Sequence, residues 1–210
     1  MGVSAAKPTG YYGNDRADLV AALPRPIGRV LDVGCGQGAV GRGLRAAGAT
    51  WLSGVEMQPE AATVAAEAYD EVAVGTVETE LETLAGRFDT ICCYDVLEHM
   101  GDPYTVLRRL RDVATTSGRL HVSVPNARHY SLVRDLVLRG TFGYTEWGHR
   151  DNTHLRWFTR RDIVQAVEAA GWTVRATSHP ALHRSAMLDR LTHGRSTEFL
   201  VGQWYVLATR

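Results

Sequence analysis

Between Gly28 and Pro125, short apolar runs alternate with segments of helical pattern, and few folds admit that rhythm. Gly28–Val33 (GRVLDV) reads as a buried strand closed by glycines, Thr50–Val55 as a second, Glu71–Val74 as a short third, Phe88–Tyr94 (FDTICCY) as a fourth, and Arg119–Val124 as a fifth ended by Pro125-Asn126. Val40–Ala47 fits a helix between the first two. The alanine-rich Pro59–Tyr69 fits another, with proline at a first-turn position, and Val77–Ala85 a weaker one. Asp102-Pro103 opens a helix with a capping carboxylate, and Val106, Leu107, Leu110, Val113 and Ala114 recur along it at helical spacing. Strands joined through helices pair in parallel, and the crossover helices then cover both faces. The fold class is therefore α/β, a doubly wound, mostly parallel sheet.

The alternation breaks at Asn126–Trp157, where Tyr130–Leu138 alone has an amphipathic helical pattern. Thr159 and Asp162 make a capping-box start to a helix carrying Ile163, Val164, Val167 and Ala170 and stopping at Gly171. Trp172–Thr177 and Val201–Thr209 read as two final strands, separated by the polar stretch His179–Phe199. One domain over 1–210 accommodates the chain.

Composition narrows the function. The 23 basic and 23 acidic side chains of the 210 residues cancel, which argues against a nucleic-acid partner. No apolar run is long enough to span a bilayer, and Met1–Gly13 lacks the apolar segment of a signal peptide, so no membrane partner is expected. Cys35, Cys92 and Cys93 lie in apolar runs without framework spacing, which suggests reduced thiols and a cytoplasmic protein. Cys92 and Cys93, adjacent on a strand, face opposite ways and are no redox pair. Charge is uneven: Glu60–Asp89 is acidic and Arg128–Arg161 basic. These are either solvated faces or, for the basic insertion, a means of holding an anionic substrate.

The chemistry concentrates in Val30–Gly41 (VLDVGCGQGAVG). Gly34, Gly36 and Gly38 follow a strand and precede a helix, where glycine permits a tight turn and close ligand approach. The helix start offers N–H donors to an anionic group, either a pyrophosphate or a carboxylate. The spacing also satisfies the dinucleotide pattern G-x-G-x-x-G/A, ending at Ala39. Two acids discriminate. Asp32, two residues before the first glycine, would repel a pyrophosphate but suits an ammonium group. Glu56, ending the second strand, can accept from both ribose hydroxyls. An ammonium, a carboxylate and a ribose together describe S-adenosylmethionine.

The sequence resembles the class I S-adenosylmethionine-dependent methyltransferases, and among them the small-molecule group related to the ubiquinone-biosynthesis O-methyltransferases. The matching segments are VLDVGCGQG at Val30–Gly38, GVE at Gly54–Glu56, FDTICCYDVLEH at Phe88–His99, GRLHVSVPN at Gly118–Asn126 and DNTHLRWFT at Asp151–Thr159. The resemblance implies a Rossmann-like sheet of seven strands with an antiparallel last strand, pairing Trp204–Thr209 with Trp172–Thr177. It also implies that residues 1–24 fold over the cofactor as a lid, and that 126–157 and 179–199 shape the acceptor pocket. Gly34, Cys35, Gly36 and Gly38 would pass beside the methionine part, Asp32 would orient it, Glu56 would hold the ribose and Met57 would pack on adenine. The family's adenine-reading acid is replaced by Thr76 after Gly75, so Thr76, the Val77 backbone or Glu78 would supply that contact. Tyr94 would line the sulfur side; Asp95 either joins it or caps the following turn.

Methyl transfer to a hydroxyl needs a base, and histidine suits the role at neutral pH. The candidates are His99, His129 and His154, with Asp151; a structural hydrogen bond to backbone is the alternative role for His99. His149, Asp151 and His154 form H-x-D-x-x-H, which matches no recognised metal-site spacing, so no metal is expected. Thr153–Phe158 reads as an edge over the pocket, with Trp157 and Phe158 buried. Tyr11, Tyr12, His149 and Tyr144 are the substrate-side candidates. Tyr11 and Tyr12 sit either in the lid or in a surface helix ending at Pro24, and Tyr144, with Tyr130, Phe142 and Trp147, lines a pocket or forms the insertion's own small core. The acceptor is an oxygen or nitrogen of a small molecule: a sugar, a nucleotide-sugar, a phenol or another natural-product intermediate; an amine would need only to be neutral. The rival functions are an NAD-dependent oxidoreductase and a cofactor-binding module without turnover. A homodimer is left open.

Overall fold

The computed structural model describes residues 15–84, 86–180 and 196–210. Strands β1 (Arg29–Val33), β2 (Trp51–Glu56), β3 (Glu71–Val74), β4 (Phe88–Tyr94), β5 (Ala114–Pro125), β6 (Thr173–Ser178) and β7 (Gln203–Thr209) form one sheet in the order β3-β2-β1-β4-β5-β7-β6. The first five in that order pair in parallel, and β7 runs antiparallel to both β5 and β6. The doubly wound α/β sheet and its antiparallel last strand are thus as the sequence implies.

Alternation along the strands feeds two apolar layers. Leu31, Val33, Ile91, Cys93, Leu120 and Val122 face α5 (Pro103–Val113) and α7 (Arg160–Ala169), which contribute Val106, Leu107, Leu110, Ile163 and Val167. Val30, Cys92 and Tyr94 face the opposite layer, with Leu19 and Val20 of α1 (Ala17–Ala22), Leu44 of α2 (Ala39–Ala46) and Ala65 of α3 (Pro59–Ala65). Cys92 and Cys93 fall on opposite faces. The start of α7 is the expected capping box, with Thr159 accepting from the Asp162 N–H and Asp162 reaching back to Thr159.

Several boundaries differ from the sequence reading. Helix α4 (Val77–Glu80) is shorter than the pattern suggests. Ala114 begins β5 instead of ending α5, because Thr115, Thr116 and Ser117 favour extended or turn backbone over helix. Helix α3 stops at Ala65, and the chain beyond it turns Tyr69 inward against the sheet. In the insertion, α6 spans Tyr130–Arg139; α8 (Thr197–Leu200) precedes β7. Phe158 is buried as expected, but Trp157 is 38% exposed, because its ring packs edge-on against Phe142 at the surface.

One buried base makes the fold sensitive to acid. His121 of β5 is 3% exposed, and its Nδ1 shares a hydrogen bond of 2.9 Å with the Tyr94 hydroxyl. Burial, helped by the nearby Arg16 cation and opposed by Asp18, pushes its pKa down from 6.5 to about 4. The unfolded chain takes up this proton near 6.5, whereas the folded chain resists until about 4. Stability from this group is therefore present above 6.5 and drains as pH falls through the window, by at most about 3 kcal/mol. Urea midpoints of the wild type should fall over that range, and those of His121→Gln, a neutral partner for Tyr94, should fall less. Parallel declines would remove His121 from the account.

Candidate active site

The strand order reverses between β1 and β4, and a parallel sheet opens a crevice at the carboxyl ends of such strands. A cavity of about 1330 Å³ lies there, walled by the β1–α2 loop, the ends of β2 and β4, the turn after β3 and part of the insertion. Gly34, Gly36 and Gly38 all hold φ between 55° and 80°, which favours glycine. A Cβ at Gly34 would lie 2.8 Å from the Val96 side chain; one at Gly38 would lie 3.1 Å from the Ala65 backbone. Gly34, Cys35 and Gly36 line the cavity, whereas Gly38 serves the contact between α2 and α3.

The loop's donors do not await an anion, as the sequence reading expected. Gly34 and Cys35 N–H donate to the Val55 carbonyl at 2.8 and 3.1 Å, Gly36 N–H to Glu56 Oε2 at 3.0 Å, and Gly38 N–H to the Cys35 carbonyl at 3.0 Å. A pyrophosphate would have to displace a carboxylate to reach Gly36. Glu56 Oε1 accepts from Gln58 N–H at 2.8 Å, so this acid pins both the loop and its own turn, and each oxygen can accept a further bond. Asp32 is 2% exposed; its Oδ2 accepts from the Tyr69 hydroxyl at 2.5 Å. Burial pushes the Asp32 pKa up to about 7, with the Tyr69 bond opposing and Glu56 reinforcing. Two acids so placed favour a cationic ligand with hydroxyls. Met57, Thr76, Val77 and Glu78 border the same side of the cavity, at its outer end.

On the far wall stand Tyr94 and Asp95. Asp95 has φ 53°, rare for a non-glycine residue, and is held there by donors: Ser123 Oγ at 2.9 Å and Gln203 Nε2 at 2.8 Å to Oδ1, with Arg16 paired to Oδ2. Its carboxylate thus ties the start of α1 to β5 and β7 rather than capping a turn.

A turn at Leu97–His99 follows β4 and carries the first base candidate, His99. His99 Nδ1 meets the Thr153 carbonyl at 3.3 Å and Thr153 Oγ1 at 3.1 Å, and Thr153 Oγ1 donates to Asp151 Oδ1 at 2.7 Å. Because the carbonyl and the committed hydroxyl can only accept, Nδ1 is the donor in this arrangement. The ring of His154 stands edge-on to His99 at 4.7 Å. Glu98, 1% exposed, has both carboxylate oxygens without hydrogen-bond partners among the described residues, and burial pushes its pKa up to about 8. Ligand atoms of Glu98, His99 and His154 lie within 4.8 Å of one another, close enough to hold one metal ion. That trio, not His149–Asp151–His154, is the cluster with metal-like spacing.

Of the remaining candidates, His149 lines the cavity and His129 and Tyr144 do not. His129 does not line the cavity; it stacks on His149 at 4.6 Å, and His149 donates from Nε2 to the Gly202 carbonyl at 2.6 Å. Burial, and for His129 the neighbouring imidazole, holds both below the usual histidine value. Tyr144 packs with Phe142 and Trp157 as a small core of the insertion, and Trp147 takes the place on the wall. Tyr11 and Tyr12 lie outside the described residues. Four of the insertion's five arginines pair with Asp135 (Arg134, Arg139, Arg150) or Glu198 (Arg128), the fifth, Arg156, donates to the Leu155 and Gly101 carbonyls, and none of the five lines the cavity. The basic insertion is thus a salt-bridged surface. Sequence reasoning missed Tyr69, Arg16 and Gln203 as site residues, because their roles depend on contacts far apart in the chain, and passed over Glu98 inside the LEH match.

Comparison with known proteins agrees with this geometry. A family model described as a methyltransferase domain matches residues 10–177. The ubiquinone biosynthesis O-methyltransferase of Ralstonia nicotianae is 29% identical, over 99% of this chain and 87% of its own length. That of Xanthomonas axonopodis pv. citri is 32% identical, over 79% and 69%. An S-adenosylmethionine-dependent methyltransferase from Mesorhizobium loti shares the fold, with a TM-score of 0.63 at 17% identity, over 92% of this chain and 96% of its own. A glycine loop whose amides are turned inward, two buried acids at the carboxyl ends of neighbouring strands, and a matching family model converge: the chain belongs to the class I S-adenosylmethionine-dependent methyltransferases.

Proposed function

We propose that the chain methylates a hydroxyl of a small molecule, with His99 as the base. The observation that carries this is the relay Asp151–Thr153–His99, which orients the imidazole through Nδ1 on the wall of the cavity. An amine acceptor needs only to arrive neutral, whereas a hydroxyl must lose its proton, so a built base favours oxygen. The relatives' names point the same way, both being O-methyltransferases. Glu56 would hold the ribose and Asp32 the ammonium, so that the sulfonium methyl is directed toward the histidines. The acceptor enters between Trp147 and Leu155, whose side chains suit a phenol or another natural-product ring. The same reading covers residues 1–210 as one domain and places the reaction in the cytoplasm, supported by three buried thiols.

A second reading follows from the orphaned oxygens of Glu98. A carboxylate and two imidazoles suit a divalent cation, which when bound would anchor and acidify the acceptor hydroxyl. Methyl-labelled S-adenosylmethionine offered with panels of phenols, sugars and amines tests both. The expected result is label in an ether, most readily from a catechol or phenol. Label only in amines would overturn the oxygen assignment. Activity lost to a chelator and restored by magnesium or zinc would favour the cation, and activity indifferent to chelation would favour the bare imidazole.

A further inference from the structure

We propose that Tyr69 is a positioning residue for the cofactor: its hydroxyl fixes the Asp32 carboxylate in the orientation that receives the cofactor's ammonium, and Gly41 and Gly54 lack side chains in order to admit its ring. The proposal rests on the assignment of Asp32 to that ammonium. Tyr69 reaches Asp32 from the stretch after α3, and both partners are buried, at 7% and 2% exposure. Its route is a slot. A Cβ at Gly41 would lie 2.3 Å from Tyr69 Cε2 and 2.5 Å from Cζ. A Cβ at Gly54 would lie 3.2 Å from Tyr69 Cδ1 and 2.6 Å from Cys35 Sγ. Gly41 lies inside α2 and Gly54 inside β2, and neither has a positive φ. Glycine in such interiors is destabilising and supplies no needed backbone conformation; what it supplies here is room.

The room matters because Asp32 is otherwise in hostile surroundings. Burial opposes its charge, and the Glu56 carboxylate on β2 opposes it further. The other titratable groups around it are the thiols of Cys35, Cys92 and Cys93 and the phenols of Tyr69 and Tyr94, each pushed up by burial and so neutral near pH 7. The Tyr69 hydrogen bond is what favours the ionised form. A hydroxyl held at 2.5 Å also occupies Oδ2, leaving Oδ1 to receive the ligand.

The test is calorimetric titration of S-adenosylhomocysteine into wild type, Tyr69→Phe and Asp32→Asn, from about pH 5.5 to about pH 8.5. Wild-type affinity should climb with pH and level off just above 7, where Asp32 is ionised. For Tyr69→Phe the levelling should move up by about one unit, so that affinity falls about tenfold at pH 6 and recovers almost fully at the alkaline end. Asp32→Asn should lose at least about tenfold at pH 8 and flatten the profile. Gly41→Ala, which presses on the ring, should shift the profile in the same direction as Tyr69→Phe, and it serves if the phenylalanine variant does not fold. A Tyr69→Phe profile that coincides with the wild type overturns the proposal while leaving Asp32 in place. An Asp32→Asn protein that binds like the wild type removes the ammonium assignment itself.

Discussion

Glu56→Ala is expected to weaken S-adenosylhomocysteine binding by about a hundredfold, because this carboxylate has three tasks. The charge-assisted bonds proposed for it to a ribose diol would alone be worth roughly 1.5–3 kcal/mol, or about one to two powers of ten. It also accepts from Gly36 N–H at 3.0 Å and from Gln58 N–H at 2.8 Å, so truncation leaves two amides unpaired and releases the loop that passes beneath the methionine part. Both losses act on the same ligand, which places the effect at the upper end. Glu56→Gln keeps one acceptor and no charge, and should fall by about tenfold. Calorimetry reads both directly, and thermal midpoints separate a loosened loop from a lost fold. Unchanged affinity in Glu56→Ala would mean that the ribose lies elsewhere.

What the sequence made legible was whatever depends on neighbours along the chain. Strand runs, the glycine loop and the Thr159 capping box are local patterns, and each is found close to its expected place. The helix ends were less legible. Nothing local in the alanine-rich stretch after Pro59 says that the helix must stop at Ala65; the reason is Tyr69 turning toward a carboxylate on β1. In the same way, the partners that hold Asp95, namely Arg16, Ser123 and Gln203, were not legible, because they belong to elements that meet only after the sheet is assembled. His129 and Tyr144 both lie in the insertion, but its fold turns His129 onto His149 and Tyr144 onto Phe142 and Trp157 rather than toward the cavity. The residues themselves were in view in each case; the topology that gives them partners was not.

His99→Ala is expected to lower kcat by about two to three powers of ten while leaving S-adenosylhomocysteine affinity within about twofold. The base acts on the acceptor and not on the nucleoside, so its loss should appear in turnover alone. The relay behind it gives a graded series. Thr153→Val removes the hydroxyl at 3.1 Å but keeps the carbonyl at 3.3 Å, so Nδ1 still has an acceptor and the ring is merely less constrained; about a tenfold loss is expected. Asp151→Asn can still accept from Thr153 but no longer stabilises the imidazolium formed as the acceptor proton leaves, and it should move the alkaline rise of the kcat profile to lower pH along with a similar loss. His154→Ala removes the ring packed edge-on at 4.7 Å and separates the two chemistries available to this wall. If His154 is only a neighbour, the loss should be small and insensitive to metal. If it is a ligand, turnover should collapse as far as in His99→Ala and respond to added cation. A His99→Ala enzyme with wild-type kcat would place the proton acceptor outside this relay altogether.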